Sequence, residues 1–401
     1  MKRLFLLLLL AASAALLFAE GPELSGVFNS TVNYTAGAGD APPHSWGMEE
    51  YANLRLRVKT GERAAFFSAV NLIAISGNYL ENSDPSLGST QFVYGQNYAA
   101  GLELERLYFR INSDYFDTEA GLLRLPFGYG QVWGSSDFLN PRNPLFPNAR
   151  PRGVLGTDLS FYPSDSSKFL VFAAAPRDPL ESNGGGFLPG LSLDQHWDRA
   201  SVQFLYAYET PGANSIRGGS EWGVHRFGLS LKADLELGFV TDALYTLVPG
   251  ETEGVEGLSA GAGFDYSFLG GDLYILFEYL FNGGSSATAW DGGNNVLGWK
   301  NHHYLYGNAL YRFNDYTSLA LGTVFCFDDT SFSPFTALEY EIFQGFSLNL
   351  SARFPLDMKT LNNGRAGELG SIPPNQPLDP AGNPGNAGAR VIVNAGAKLR
   401  F

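Results

Sequence analysis

The chain has 401 residues, a formal net charge of −14 and a single cysteine, so an internal disulfide is excluded and nucleic acid finds no electrostatic support as a partner. Only 16% of the residues are charged, 14% are aromatic and 48 are glycine, whereas a soluble domain carries about 25% charge. Nothing after Phe18 approaches the ~20 apolar residues of a membrane helix, which leaves a membrane β-barrel, apolar outside and polar inside.

In chain order the first element is "MKRLFLLLLLAASAALLFAEG": two cations, an apolar run from Leu4 to Phe18, then small residues. This is the pattern of a secretory signal peptide, with cleavage expected after Ala19 and residues 1–19 as the leader. Residues 20–401 then form one barrel domain of an exported protein. Strands are expected near 22–36, 49–60, 63–76, 98–112, 115–125, 156–164, 168–176, 186–194, 198–209, 221–232, 234–246, 256–268, 272–283, 301–313, 316–327, 331–342, 346–356 and 389–401. The warrant is a period of two, since alternate side chains of a strand point to opposite faces. In "RFGLSLKADLELGFV", Phe227, Leu229 and Leu231 oppose Gly228, Ser230 and Lys232; a tight turn at Ala233 is expected before Leu235, Leu237 and Phe239 resume the apolar row.

That makes eighteen antiparallel strands in an all-β transmembrane barrel. The segment 186–194 carries Pro189 and Gly190 but is kept on topological grounds. Barrels of this type have even strand numbers and both ends in the periplasm. Without that strand, short turns such as 61–62, 270–271 and 314–315 would change sides with long connections such as 77–97, 284–300 and 357–388. Sixteen strands is the alternative.

The final stretch, "VIVNAGAKLRF", puts Val391, Val393, Ala395, Ala397, Leu399 and Phe401 on one face. It resembles the C-terminal assembly signal of bacterial outer-membrane barrels, with Leu399 and Phe401 as its apolar residues. The resemblance implies recognition by the outer-membrane barrel assembly machinery and insertion into that bilayer. An edge strand is chemically suited to this, being a template for strand addition.

A second stretch, Glu105 to Asp165, contains "GLLRLPFGYGQVWG", "DFLNP" and "RGVLGTDLSFYP". These pieces resemble a superfamily of bacterial outer-membrane channels that includes alginate-export-like and other porin-like barrels. The matching positions are Gly121, Arg124, Trp133, Gly134, Asp137, Asn140, Pro141, Arg152 and Gly153, with Leu125-Pro126 standing where that group has a polar residue. The resemblance implies a passive channel for small hydrophilic solutes. It also implies that the third outward loop, residues 126–156, folds into the lumen and narrows it.

That loop carries Arg142, Arg150 and Arg152 against one acid, Asp137, and is stiffened by prolines at 141, 144, 147 and 151. A rigid cationic constriction would favour anionic solutes. Equally, these arginines would pair with wall acids such as Glu103, Glu105, Glu119, Glu339 and Glu341. Parity turns Arg55, Arg57, Lys59, Arg106, Arg110, Arg312, Arg353, Lys398 and Arg400 inward, along with Asp234, Glu236, Asp265 and Glu278. A cation facing mid-bilayer lipid would cost ~2–4 kcal/mol. Arg124 completes the constriction set, and the clustering of cations on a few strands suits an anionic or saccharide solute. Trp133, Trp290 and Trp299 serve either as interface anchors or as stacking platforms for sugars at the mouth.

No HExxH or GxSxG motif occurs, and "GYGQVWG" is followed by no helix, so no catalytic residue, cofactor or metal is assigned. His225, His302 and His303 near outward strand ends keep a lipase- or protease-type barrel as an alternative, beside an adhesin and an apolar-ligand uptake channel. No pattern in the chain sets an oligomeric state.

Overall fold

The computed structural model describes residues 21–37, 44–77, 91–95, 97–140, 144, 153–175, 187–211, 223–250, 252, 254–284, 301–354, 356–357, 369 and 390–401. The leader over 1–19 and most of the long outward connections lie outside the described residues. Eighteen long strands fold from the alternating runs: β1 (Glu23–Gly37), β2 (His44–Lys59), β3 (Ala64–Gly77), β4 (Tyr98–Asn112), β5 (Phe116–Leu123), β6 (Val154–Ser164), β7 (Ser167–Ala175), β8 (Leu188–His196), β9 (Ala200–Glu209), β10 (Val224–Asp234), β11 (Gly238–Leu247), β12 (Leu258–Phe268), β13 (Leu273–Asn282), β14 (His303–Asn314), β15 (Thr317–Cys326), β16 (Ser331–Phe343), β17 (Phe346–Arg353) and β18 (Arg390–Arg400). Each pairs antiparallel with the next, and β18 closes on β1 from Val27↔Arg400 to Gly37↔Arg390. Two short strands, Gln91–Tyr94 and Leu356–Asp357, add to β4 and β16.

The two faces of the wall follow the sequence parity. Phe227, Leu229 and Leu231 of β10 are exposed on the outside, while Arg226 and Ser230, of the opposite parity, are buried inside. A closed barrel leaves no sheet edge, and every backbone ladder is satisfied within the wall, as a bilayer requires. β8 forms despite Pro189. Proline is the second residue of the strand, where one missing N–H costs little, and the ladder runs from Ser167↔Gln195 to Ala174↔Leu188.

One local expectation is corrected. β10 runs on to Asp234, and the register Asp234↔Gly238 puts Leu235, Glu236 and Leu237 in the turn. Glu236 is therefore not a lumen-wall residue, and Leu235 and Leu237 do not belong to the outward row. In β4, Leu104 pairs with Val70 and Arg106 with Ala69, so Glu105 is the extra residue of a bulge. A bulge lets two successive side chains share a face. This is how Glu103 and Glu105 line the same inner wall as Arg106 and Arg110, which have the opposite parity in sequence.

Gly121 on β5 has φ 136°, and an added Cβ would stand 2.2 Å from the Leu107 carbonyl oxygen of β4. Gly121→Val therefore meets both backbone strain and a steric clash. The expected result is loss of the heat-modifiable barrel at a lower temperature than for the parent, read by gel mobility after graded heating. An unchanged transition would show that the strand can shift to accommodate the side chain.

Candidate channel site

Beyond β5 the chain leaves the wall and crosses the barrel interior. Six consecutive backbone N–H groups, from Gly128 to Trp133, are taken up by inward side chains of three strands. Gly128 N–H donates to Gln203 Oε1 of β9 at 2.6 Å. Tyr129 and Gly130 donate to the Asp242 carboxylate of β11 at 2.9 and 2.7 Å. Gln131, Val132 and Trp133 donate to the Glu278 carboxylate of β13 at 2.9, 3.1 and 2.7 Å. A segment with no ladder partners of its own must find acceptors elsewhere, and here the wall supplies them. Glycine allows the approach: a Cβ at Gly128 or Gly130 would sit 2.7 or 2.6 Å from Asp242 Oδ2.

Side chains complete the attachment. Gln131 donates to Asp265 on β12 at 2.8 Å and accepts from the Tyr274 hydroxyl at 2.9 Å. Trp133 donates its indole N–H to the Glu278 carbonyl oxygen at 2.9 Å and packs on Tyr304. Leu125, Phe127, Phe138 and Leu139 bury themselves against inward residues of β6 to β11, among them Leu170, Phe172, Leu205 and Leu244. The Arg226 guanidinium lies 4.9 Å over the Phe138 ring and pairs with Glu209 at 3.0 Å, both charges being buried. Asp137 and Asn140 fold the segment on itself: Asn140 N–H donates to Asp137 Oδ1, and Asn140 Oδ1 accepts from Leu125 N–H.

Asp242 and Glu278 are each 2% exposed. Glu278 does face inward, but beneath this segment rather than in open lumen. Asp242 and Gln203 escaped the sequence reading, as did Asp194, which accepts from Gln203 Nε2 at 2.6 Å. The available signal was Asp242 standing between Val240 and Leu244 in the inward row of β11, since an acid flanked by apolar residues needs a partner.

The wall of β2 to β5 is different. Arg55, Arg57, Arg106, Arg110 and Arg124 are brought together there with Glu103, Glu105 and Glu119. Glu105 is the hub: it accepts from Arg124 at 3.0 Å and from Asn53 at 2.8 Å, with Arg106 at 3.7 Å. Arg110 pairs with Glu119, and Asn71 donates to Glu103 at 2.8 Å. Arg55 donates to Asn53 at 2.6 Å, while Arg57 is exposed on the inner wall next to Arg55 and Lys59. Five arginines and Lys59 thus share this side with the carboxylates of Glu49, Glu103, Glu105, Asp117 and Glu119, whereas Asp242 and Glu278 on the opposite side hold backbone amides.

Arg142, Arg150 and Arg152 lie outside the described residues, as do Trp290 and Trp299. Trp133 is 4% exposed and offers no open ring face to a solute. Phe401 and Leu399 lie at the closure: Leu399 pairs with Phe28, and Phe401 exchanges backbone hydrogen bonds with Gly26 at 2.8 and 3.1 Å. His225 and His303 share hydrogen bonds with the Tyr206 and Tyr279 hydroxyls, at 3.0 and 2.6 Å, on the outward face. Among the described residues no cluster of metal-ligating side chains occurs.

No family model matches the sequence, and no curated protein does either. Solved structures do match in fold. Two are OccAB1 and OccAB4 of Acinetobacter baumannii, 11% and 12% identical with TM-scores of 0.55; each match covers 96% of this chain and 98% or 99% of the other. A third is a BenF-like porin from Pseudomonas fluorescens, 9% identical with a TM-score of 0.54, covering 96% of this chain and 100% of that one.

Proposed function

We propose that this chain, which has the fold of a bacterial outer-membrane porin, is a passive channel for small hydrophilic solutes with a preference for anions. The observation that carries the preference is the unequal use of charge across the lumen. Acids of β11 and β13 are engaged by the inward segment, whereas Arg57 and its neighbours face the open side. The inward segment is the constriction in this reading, and Arg142, Arg150 and Arg152, which lie outside the described residues, are the cations proposed to give it an anion preference. A saccharide would be served by the same arginines as hydrogen-bond donors. The last strand is the element that the barrel assembly machinery recognises.

The reading assigns no catalysis. Its support is that His225 and His303 are bonded to tyrosines on the lipid-facing side, away from any nucleophile in the lumen.

Reversal potentials across a salt gradient in planar bilayers test the proposal. A unit charge at 4 Å is worth about 1 kcal/mol in water, so each arginine lost should lower anion preference roughly fivefold at low salt. Arg55→Gln with Arg57→Gln, and separately Arg142, Arg150 and Arg152 to glutamine, should each shift the reversal potential more than the conductance. The same exchange at the outward acids Glu251 and Glu253 should do little. If neither arginine set moves the reversal potential, a general diffusion pore remains and the anion preference is wrong.

A further inference from the structure

The outward strand rows hold almost no charge. Among the described residues they contain one acid, Glu50 of β2, which accepts from the Ser30 hydroxyl at 2.7 Å, and no Lys, Arg or Asp. They also contain three histidines, His44, His225 and His303. Each stands at the outward end of a hairpin, β1–β2, β9–β10 or β13–β14, and each is bonded to a tyrosine of the facing strand. Tyr34 Oη lies 2.6 Å from His44 Nδ1, Tyr206 Oη 3.0 Å from His225 Nδ1, and Tyr279 Oη 2.6 Å from His303 Nδ1.

The three pairs share one geometry. Tyr34 is the register partner of Trp46, Tyr206 of Phe227 and Tyr279 of Leu305. In every case the histidine stands two residues before that partner, on the diagonal across which aromatic side chains still meet. The Tyr and His ring centroids are 5.8, 6.2 and 6.1 Å apart, with interplanar angles of 13°, 29° and 25°.

The shared bond fixes the imidazole. A neutral ring has one accepting nitrogen, and a phenol O–H donating to Nδ1 makes that nitrogen the acceptor. Nε2 then carries the proton, and among the described residues it has no partner. A further aromatic ring flanks each pair: Trp46 lies 4.5 Å from Tyr34, Tyr208 4.8 Å from His225, and Phe281 5.4 Å from His303. Beside the third pair, the Asp328 carboxylate is taken up by the backbone N–H groups of His302 and His303 at 2.9 and 2.7 Å.

We propose that each Tyr–His pair holds the anionic phosphate of a lipid headgroup at the outer rim of the barrel. Nε2–H donates to a phosphate oxygen, a charge-assisted bond, and the flanking ring packs on the adjoining apolar part of the same lipid. Imidazole is also the one group in the described outward rows that can take up positive charge. The occupant is lipid because of where the pairs lie. They stand on strands 1–2, 9–10 and 13–14 of an eighteen-strand ring, so no single folded partner covers all three, whereas lipid surrounds the whole barrel. Their level is that of the headgroups, where amphipathic aromatic rings concentrate.

The test uses the full chain in a maltoside detergent with a chelator present, so that loop acids cannot hold phosphate through divalent cations. Heat-modifiability confirms each variant as a folded barrel. Native mass spectrometry then counts the phosphatidic acid or phosphatidylcholine retained from mixed micelles. The parent should retain phosphatidic acid in preference. A chain carrying His44→Phe, His225→Phe and His303→Phe, which keeps the rings and removes the donors, should lose that preference severalfold. Each single variant should lose part of it. His196→Phe, at the opposite end of the barrel and bonded to Ser201, should lose none. Equal retention by the parent and the triple variant overturns the proposal, as does an equal loss with His196→Phe. Displacement of the bound lipid by inorganic phosphate would show a free-anion site and overturn the lipid assignment. Conductance and selectivity are separate readouts, so failure here leaves the transport reading standing.

Discussion

Replacing Glu278 with alanine should release the inward segment and raise single-channel conductance, with added current noise. The carboxylate accepts from the backbone N–H groups of Gln131, Val132 and Trp133. Hydrogen bonds to a charged group are worth about 1.5–3 kcal/mol each, and three amides left without acceptors add their own penalty. The barrel itself should survive, because the β13 ladders to β12 and β14 use backbone groups that the substitution leaves alone. Asp242→Ala should act in the same direction, more weakly, since it removes two amide partners rather than three. The double variant should exceed either. Planar-bilayer recordings on heat-modifiable protein give the answer. Unchanged conductance and noise in the double variant would mean that this segment is not the constriction.

Deleting Phe401 should abolish assembly: exported chain should accumulate unfolded, with little heat-modifiable barrel. Two effects act together. Phe401 and Gly26 exchange two backbone hydrogen bonds at the seam between β18 and β1, and the aromatic ring lies over Gly26 where a Cβ would meet it at 2.6 Å. The same residue is the terminal aromatic that the assembly machinery is proposed to read. Phe401→Tyr keeps the seam and an aromatic ring and should insert nearly normally. Normal insertion of the deletion variant, measured by the heat-modifiable fraction in outer membranes, would remove Phe401 from both roles.

Strand identity was legible because alternation is local. Each residue's face is set by the backbone period of two, and the bilayer on one side and water on the other make that period chemical. Even β8, with Pro189 and Gly190, could be inferred, since closure with both ends on one side demands an even count. Turn limits were less legible: Leu235 and Leu237 continue an apolar alternation, yet the Asp234↔Gly238 register places them in the turn. Register depends on where two strands meet, and neither strand alone encodes it.

The sequence by itself determined a membrane-spanning antiparallel barrel and its eighteen strands. Only the tertiary structure decided which wall residues 128–133 join. The amides of residues 128–133 meet Gln203, Asp242 and Glu278 across 75 to 147 positions of chain, a pairing that no local pattern carries. It decided too that the Glu105 bulge turns Glu105 and Arg106 to the same side, and that Glu50, inconspicuous in sequence beside Glu49, faces lipid while its neighbour faces water. A strand's period says that neighbours differ in environment. Which of them meets water, lipid or another backbone is settled only when the sheet closes.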